Sequence, residues 1–383
     1  MTTIYLVRHA EAEGNVYRRC HGQYNALLTG KAYRQIEALA RRFDDVKIDA
    51  VYASDLFRAR VTAQGIAQRH GLPVQTDREL REIDMGEWED RPWGELPRLY
   101  PEAYARWMQE PWNCRVPGGE SVQQSGERLL RALRRLAHDH PGQTLVVASH
   151  GTGIRAALCL ALGQPLSDMG GLGWCDNTAV AKLLFAEDGQ IQVEYYNDNS
   201  HLPEELSTFA GQRWWKTGDR PLQWNMRFAP VDWGRDLPLV EGYVRDCCAE
   251  LYGSGVDAGQ MIEQMRRQSA ACPDSAALGY VEDTPIALIG LDVEREADTP
   301  CGWIGLYYVA PDYRGMDYAP QLLGHAISVY RRMGKRQLKV RLPKGDERAL
   351  AFFLRYNFEP AGQWEGPGGV HDVWVKDIAY PAL

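Results

Sequence analysis

Two histidines stand at the ends of short apolar runs, and each has neighbours suited to an anion. The first run is Thr3-Ile4-Tyr5-Leu6-Val7-Arg8-His9, and the second is Thr144-Leu145-Val146-Val147-Ala148-Ser149-His150, followed by Gly151. Short continuous apolar runs read as buried parallel strands. In open α/β sheets ligands bind in the crevice beyond the carboxyl ends of the strands. Phosphoryl transfer through imidazole needs three things there: a neutral histidine nucleophile, cations around the equatorial oxygens, and an acid for the leaving oxygen. His9 supplies the nucleophile and Arg8 lies beside it. Arg58 opens a predicted helix after Ser54-Asp55-Leu56-Phe57, so its guanidinium and the helix N-terminus are expected to face the same anion. His150 is expected to hydrogen-bond a phosphoryl oxygen.

The elements that must position these groups alternate. Strands are expected at residues 3–9, 49–53, 144–149, 179–185 and 191–196. Helices are expected at 30–42, 58–70, 101–108 and 125–138; Ile36, Leu39 and Ala40 share a face of the first of these. Such alternation implies a layered α/β domain over residues 1–202. Residues 203–222 read as a linker, punctuated by Gly211, Gly218 and Pro221, although Trp214 and Trp215 suggest packing. A second domain is expected over residues 223–383, with helices at 239–252, 318–333 and 347–356 and strands at 277–281, 286–293, 303–309 and 337–342.

The first-half segments resemble the histidine phosphatase (phosphoglycerate mutase-like) superfamily. The resemblance rests on Leu6-Val7-Arg8-His9-Ala10-Glu11 through Asn15, Leu28-Thr29-Gly30, Ser54-Asp55-Leu56-Phe57-Arg58-Ala59 with Thr62-Ala63, Ser149-His150-Gly151, and a close at residues 197–202. It implies a three-layer sheet with flanking helices. It also implies that His9 is phosphorylated, that Arg8, Arg58 and His150 form the phosphate pocket, and that Asn15 and Thr29 add contacts. Glu82 is implied as general acid, ranked ahead of Asp84, Glu87 and Glu89. The stretch Gly86-Glu87-Trp88-Glu89 resembles the phosphatase branch, including its α-ribazole phosphatase-like members, and the mutase segment is lacking. Hydrolysis of a small phosphorylated metabolite is therefore expected, with no metal. Trp88, Trp93, Trp107 and Trp112 are read either as a wall or lid of the substrate pocket or as packing residues.

In the second half, Val309-Ala310-Pro311-Asp312-Tyr313-Arg314-Gly315-Met316-Asp317-Tyr318-Ala319 resembles the acetyl-CoA loop of GNAT-type N-acetyltransferases, a family of α+β mixed-sheet domains. Free amides at such a turn suit a pyrophosphate. Two departures stand out. Asp317 replaces the central glycine of the loop, bringing a carboxylate to an anion site. The tyrosine that protonates the leaving thiolate in many members aligns with Phe353, and Asn357 takes a glycine position; Tyr356 is near but off the motif. Two outcomes follow: acetyl transfer from acetyl-CoA to a small amine, or a domain retained for docking. Glu241, Asp246 and Asp292 are candidate general bases.

Composition narrows the remainder. The 383 residues are 45% hydrophobic and 25% charged, as in ordinary globular proteins. A net charge of −8, from 43 basic and 51 acidic residues, disfavours nucleic acid and anionic membranes as partners. No apolar run approaches the ~20 residues that span a bilayer. The opening residues lead straight into a strand, so no signal peptide is expected and the location is read as cytoplasmic. The eight cysteines lack Cys-x-x-Cys spacing and read as reduced packing residues. Oligomeric state is not legible.

Overall fold

The computed structural model describes residues 1–212, 224–252, 257–366 and 369–381. The first domain runs β1 (Thr2–Arg8), α1 (Glu13–Tyr17), α2 (Gly30–Arg42), β2 (Ala50–Ala53), α3 (Phe57–Arg69), β3 (Val74–Thr76), α4 (Leu96–Leu99), α5 (Pro101–Gln109), α6 (Val122–Asp139), β4 (Thr144–Ser149), α7 (Gly151–Ala161), β5 (Val180–Phe185) and β6 (Ile191–Asp198). Its strands form one sheet in the order β3-β2-β4-β1-β5-β6. β3, β2, β4 and β1 are parallel, and β5 and β6 join antiparallel at one edge.

The apolar runs that end in histidine are apolar because both faces of the strands are covered. On β4, Leu145 and Val147 face a core shared with Leu129 and Leu133 of α6 and Ile154 of α7. Val146 and Ala148 face the opposite core, with Leu39 of α2 and Ala63 of α3. The domain is therefore three layers, helices on either side of one sheet.

The second domain runs β7 (Arg227–Pro230), α8 (Leu237–Tyr252), α9 (Ala258–Ala271), β8 (Ala276–Val281), β9 (Thr284–Leu291), β10 (Cys301–Val309), α10 (Ala319–Arg332), β11 (Gln337–Pro343), α11 (Glu347–Arg355), β12 (Glu359–Gly366) and β13 (Gly369–Asp377). Its sheet has the order β12-β13-β11-β10-β9-β8-β7. β10 and β11 are the parallel pair, but their pairing stops at Ile304↔Val340. Beyond that point, next to a register shift at Gly305, the two strands splay apart. The gap opens a cleft of about 720 Å³ floored by residues of both strands.

Three features bear on the sequence reading, the second by deciding between its alternatives. Residues 203–212 pack on the first domain: Gln35 donates to the Leu206 carbonyl (2.7 Å) and Ser207 donates to Asp176 (2.6 Å). The rest of the expected linker, with both of its tryptophans, lies outside the described residues. Trp88 is a core residue, fully buried, with its ring centroid 5.9 Å from that of Trp107 and 6.1 Å from that of Tyr100. And α1, α4, α7, α9, β3, β7, β12 and β13 were not legible in the sequence. Among the described residues no helix is long and apolar enough to cross a membrane.

Candidate active site

Strand register brings the two histidines together. β1 and β4 pair with Arg8 opposite Ser149, so His9 and His150 leave the sheet side by side. The His9 amide donates to the Ser149 carbonyl (3.0 Å), and the imidazole centroids are 5.1 Å apart. His9 Nδ1 lies 2.7 Å from the Ala10 carbonyl oxygen. A carbonyl can only accept, so this contact assigns the proton to Nδ1 and leaves the lone pair on Nε2. Burial holds the His9 pKa well below its ordinary value, and Arg58 and Arg8 push it the same way. Burial lowers His150 likewise, with Arg58 and His9 adding to it. Both rings are therefore neutral at pH 7. His150 is fully buried, and neither of its ring nitrogens has a hydrogen-bond partner. Buried polar atoms without partners are rare and mark a place where a ligand atom belongs.

The arginines are tethered rather than paired with carboxylates. Arg58, in the first turn of α3, donates from Nη1 to the Tyr24 carbonyl (2.8 Å) and from Nη2 to the Gly22 carbonyl (2.6 Å). Burial pushes its guanidinium down to about 10. Arg8 donates from Nη1 to the Cys175 carbonyl, and its buried Nε has no partner. Gly151 leaves room for it: a Cβ there would sit 3.2 Å from Arg8 Nε.

Glu82 is bolted to the N-terminus of α7. Its Oε2 accepts from the Thr152 amide (3.0 Å), and its Oε1 accepts from Gly153 (2.9 Å) and from Ile83 (3.0 Å). Of the rival carboxylates, Glu89 has a different occupation. It accepts from the amides of Gly22, Gln23, Tyr24 and Met85, and so pins the loop whose carbonyls orient Arg58.

Two further expected contacts are engaged within the protein. Thr29 caps α2, donates to Glu11 Oε1 (2.8 Å) and lines a separate cavity of about 690 Å³ between the domains. Asn15 directs its Oδ1 to the Ala12 amide (2.9 Å) and toward Asn177 Nδ2 (3.4 Å), a loop-holding role. Sequence reasoning missed two supports. Asn177 donates to the His9 carbonyl (2.8 Å), and Asn25 accepts from the Phe57 amide (2.8 Å) at the start of α3. Neither sits in a motif that carries chemistry, so nothing in the sequence pointed to them.

In the second domain the loop before α10 forms one end of the splayed cleft, with Val309, Arg314, Gly315, Asp317 and Ala319 among its walls. The cleft has room for an extended acyl carrier. The loop is a poor cradle for its pyrophosphate, for three reasons. Asp317 adopts φ +61°, the left-handed region that glycine occupies without penalty. Pro320, at the second position of α10, has no amide to donate. Arg314 is engaged by Glu250 through two bonds of 2.7 and 2.8 Å. Phe353 and Tyr356 are both buried in the domain core, and both line the cleft. Of the candidate bases, Asp246 accepts from Tyr308 (2.5 Å), Asp292 accepts from Gln268 (2.8 Å) and Glu241 accepts from Arg245 (3.1 Å). None of the three lines the cleft.

Two strand-end imidazoles, two tethered guanidiniums and a fixed carboxyl thus come together at the carboxyl end of an α/β sheet. The chain belongs to the histidine phosphatase superfamily (branch 1), whose family model matches residues 4–199. Residues 248–358 match the model of the acetyltransferase (GNAT) family. Among curated relatives, phosphoserine phosphatase 1 of Hydrogenobacter thermophilus is 33% identical, the match covering 53% of this chain and 96% of that protein. Phosphoglycerate mutase-like protein 4 of Arabidopsis thaliana is also 33% identical, over 55% of this chain and 92% of that protein. Among solved structures, Bacillus stearothermophilus YhfR aligns at 29% identity with a TM-score of 0.51, covering 52% of this chain and 99% of that one.

Proposed function

We propose that the first domain hydrolyses a small phosphomonoester through a phosphohistidine at His9. The observation that carries this is the pair of buried, neutral imidazoles 5.1 Å apart at the carboxyl ends of adjacent parallel strands, flanked by Arg8 and Arg58. His9 Nε2 attacks phosphorus. The bond to the leaving oxygen breaks, and the Glu82 carboxyl is the acid that gives that oxygen its proton. Arg8, Arg58 and His150 stabilise the charge on the three equatorial oxygens. Glu82, now ionised, takes a proton from water as the water attacks the phosphohistidine. The P–N bond breaks and inorganic phosphate leaves. The small-metabolite reading draws support from the relatives, one of which is named for phosphoserine.

A second reading applies to the other domain and is favoured by the splayed strands: the cleft takes acetyl-CoA, and the chain acetylates a small amine. Asp317 and Pro320 oppose it and favour a docking role instead. Calorimetric titration with acetyl-CoA separates the two: micromolar binding supports transfer, and no binding at millimolar ligand supports docking.

For the phosphatase, the test is turnover of an aryl phosphate by the wild-type chain and by His9→Ala. Activity lost in the variant supports the mechanism. Near-normal activity in the variant overturns it.

A further inference from the structure

The two domains are joined at the phosphatase site itself. The helix α10 of the second domain lies on α1, which begins four residues after His9. The contact is close: a Cβ at Gly324 would meet the Tyr17 Cβ at 2.6 Å, and Tyr17 packs within the second domain's core. At the end of α10, Arg331 makes a two-pronged bond to Glu13 (2.9 and 3.2 Å), and both side chains are almost fully buried. Arg331 also donates to the Tyr24 hydroxyl (3.3 Å) and is itself held by the Ile378 carbonyl (2.7 Å). One turn earlier on α10, Ser328 donates to Asp90 (2.6 Å), whose other oxygen holds Arg19 (2.7 Å) and lies 3.1 Å from His21.

These contacts converge on residues 19–27. That loop supplies the Gly22 and Tyr24 carbonyls that orient Arg58 and the Asn25 side chain that caps the helix carrying Arg58. Glu13 also ties the loop's far end, accepting from the Leu27 amide (3.2 Å). The loop therefore has two sets of supports. Glu89 pins it from within the phosphatase domain, and α10 clamps it from the other domain.

We propose that Arg331 is a positioning residue for the phosphatase reaction, acting from the acetyltransferase-like domain through Glu13 and Tyr24 on the loop that orients Arg58. The proposal rests on the phosphatase reading above. It explains why a charged pair is buried between domains: a buried ion pair is weak evidence of stability but fixes one arrangement of the groups around it.

The test uses the full chain. Arg331→Met leaves the Glu13 carboxylate buried without its partner, so that variant alone confuses stability with positioning. In the double variant Arg331→Met/Glu13→Gln both charges of the pair are gone, the introduced amide still offers a carbonyl oxygen to the Leu27 amide, and buried Lys376, the other cation facing Glu13, can give up its proton because burial already lowers its pKa. We expect the double variant to recover most of the thermal midpoint lost in the single one while kcat on an aryl phosphate stays at least tenfold below wild type. Arg331→Lys, which keeps the charge without the fork, is expected to lie between. Orthovanadate titration, which needs no turnover, is expected to show at least tenfold weaker binding by the double variant. A stable double variant with wild-type kcat, KM and vanadate affinity overturns the proposal. A wild-type chain without His9-dependent turnover would instead sink the phosphatase reading, and vanadate affinity would still decide the role of Arg331.

Discussion

Replacing Arg58 by methionine separates what this residue does for catalysis from what it does for folding. Burial pushes the guanidinium from its ordinary value down to about 10. At ~1.4 kcal/mol per pKa unit, keeping it charged costs the empty folded state about 3 kcal/mol. Removing it relieves that cost but orphans the Gly22 and Tyr24 carbonyls. Each orphan costs about 1–3 kcal/mol, so together about 4. The two effects nearly cancel, leaving ~1 kcal/mol, or a shift of about 2–4 °C in a domain of this size. Catalysis has no such compensation. Loss of one preorganised donor to transition-state charge costs on the order of 10²–10³ in kcat. Arg58→Met should therefore melt near wild type and turn over an aryl phosphate a hundredfold or more slowly. Saturating phosphate should stabilise wild type, by about 2.7 kcal/mol at a hundred times Kd, and the variant much less. A variant that loses its fold along with its activity would refute the reasoning, because Arg58 would then be a structural bolt. So would one that keeps its activity.

Three further outcomes follow from the same site. Glu82→Gln should lower kcat/KM, which reports phosphorylation of His9 and not the later attack of water, far more for alkyl phosphates than for nitrophenyl phosphate, whose leaving group needs no proton; an equal loss of kcat/KM on both would remove Glu82 from the acid role. His9 and His150 are held neutral in the fold, whereas in the unfolded chain they charge below about 6.5. Stability is therefore present above pH 6.5 and is lost progressively as pH falls below it. Denaturant titrations of wild type and His9→Gln at pH 7 and pH 5 should show a smaller loss in the variant, and equal losses would contradict the neutral assignment. Asp317→Gly should relieve about 1 kcal/mol of left-handed backbone strain and raise acetyl-CoA affinity in calorimetry; unchanged affinity would clear Asp317 of blocking the loop.

The sequence was most informative where chemistry and burial coincide. β1 and β4 are readable because both faces of each strand are covered, so no polar residue interrupts the runs before Arg8 and Ser149. Arg8, His9, Arg58 and His150 could be picked out because strand ends and helix starts carry them to one crevice. Glu82 could be ranked but not located, since what fixes it is the start of α7, 70 residues downstream. Elements with weak patterns escaped. β3 has three residues, and β12 is exposed along nearly all its length, so neither alternates in hydrophobicity. The cap that Thr29 forms was not foreseen, because a helix cap and a ligand contact use the same hydroxyl. The union of the domains was hidden for a plainer reason. Glu13 reads as a solvated charge until Arg331, 318 residues away, is folded onto it.

The most direct test of the central claim is to look for the covalent intermediate. The wild-type chain, quenched in alkali during turnover of a phosphomonoester and mapped by mass spectrometry, should carry phosphate on His9 and on no other residue, and His9→Ala should carry none. Turnover without phosphohistidine at His9, or with the phosphoryl group elsewhere, would contradict the account.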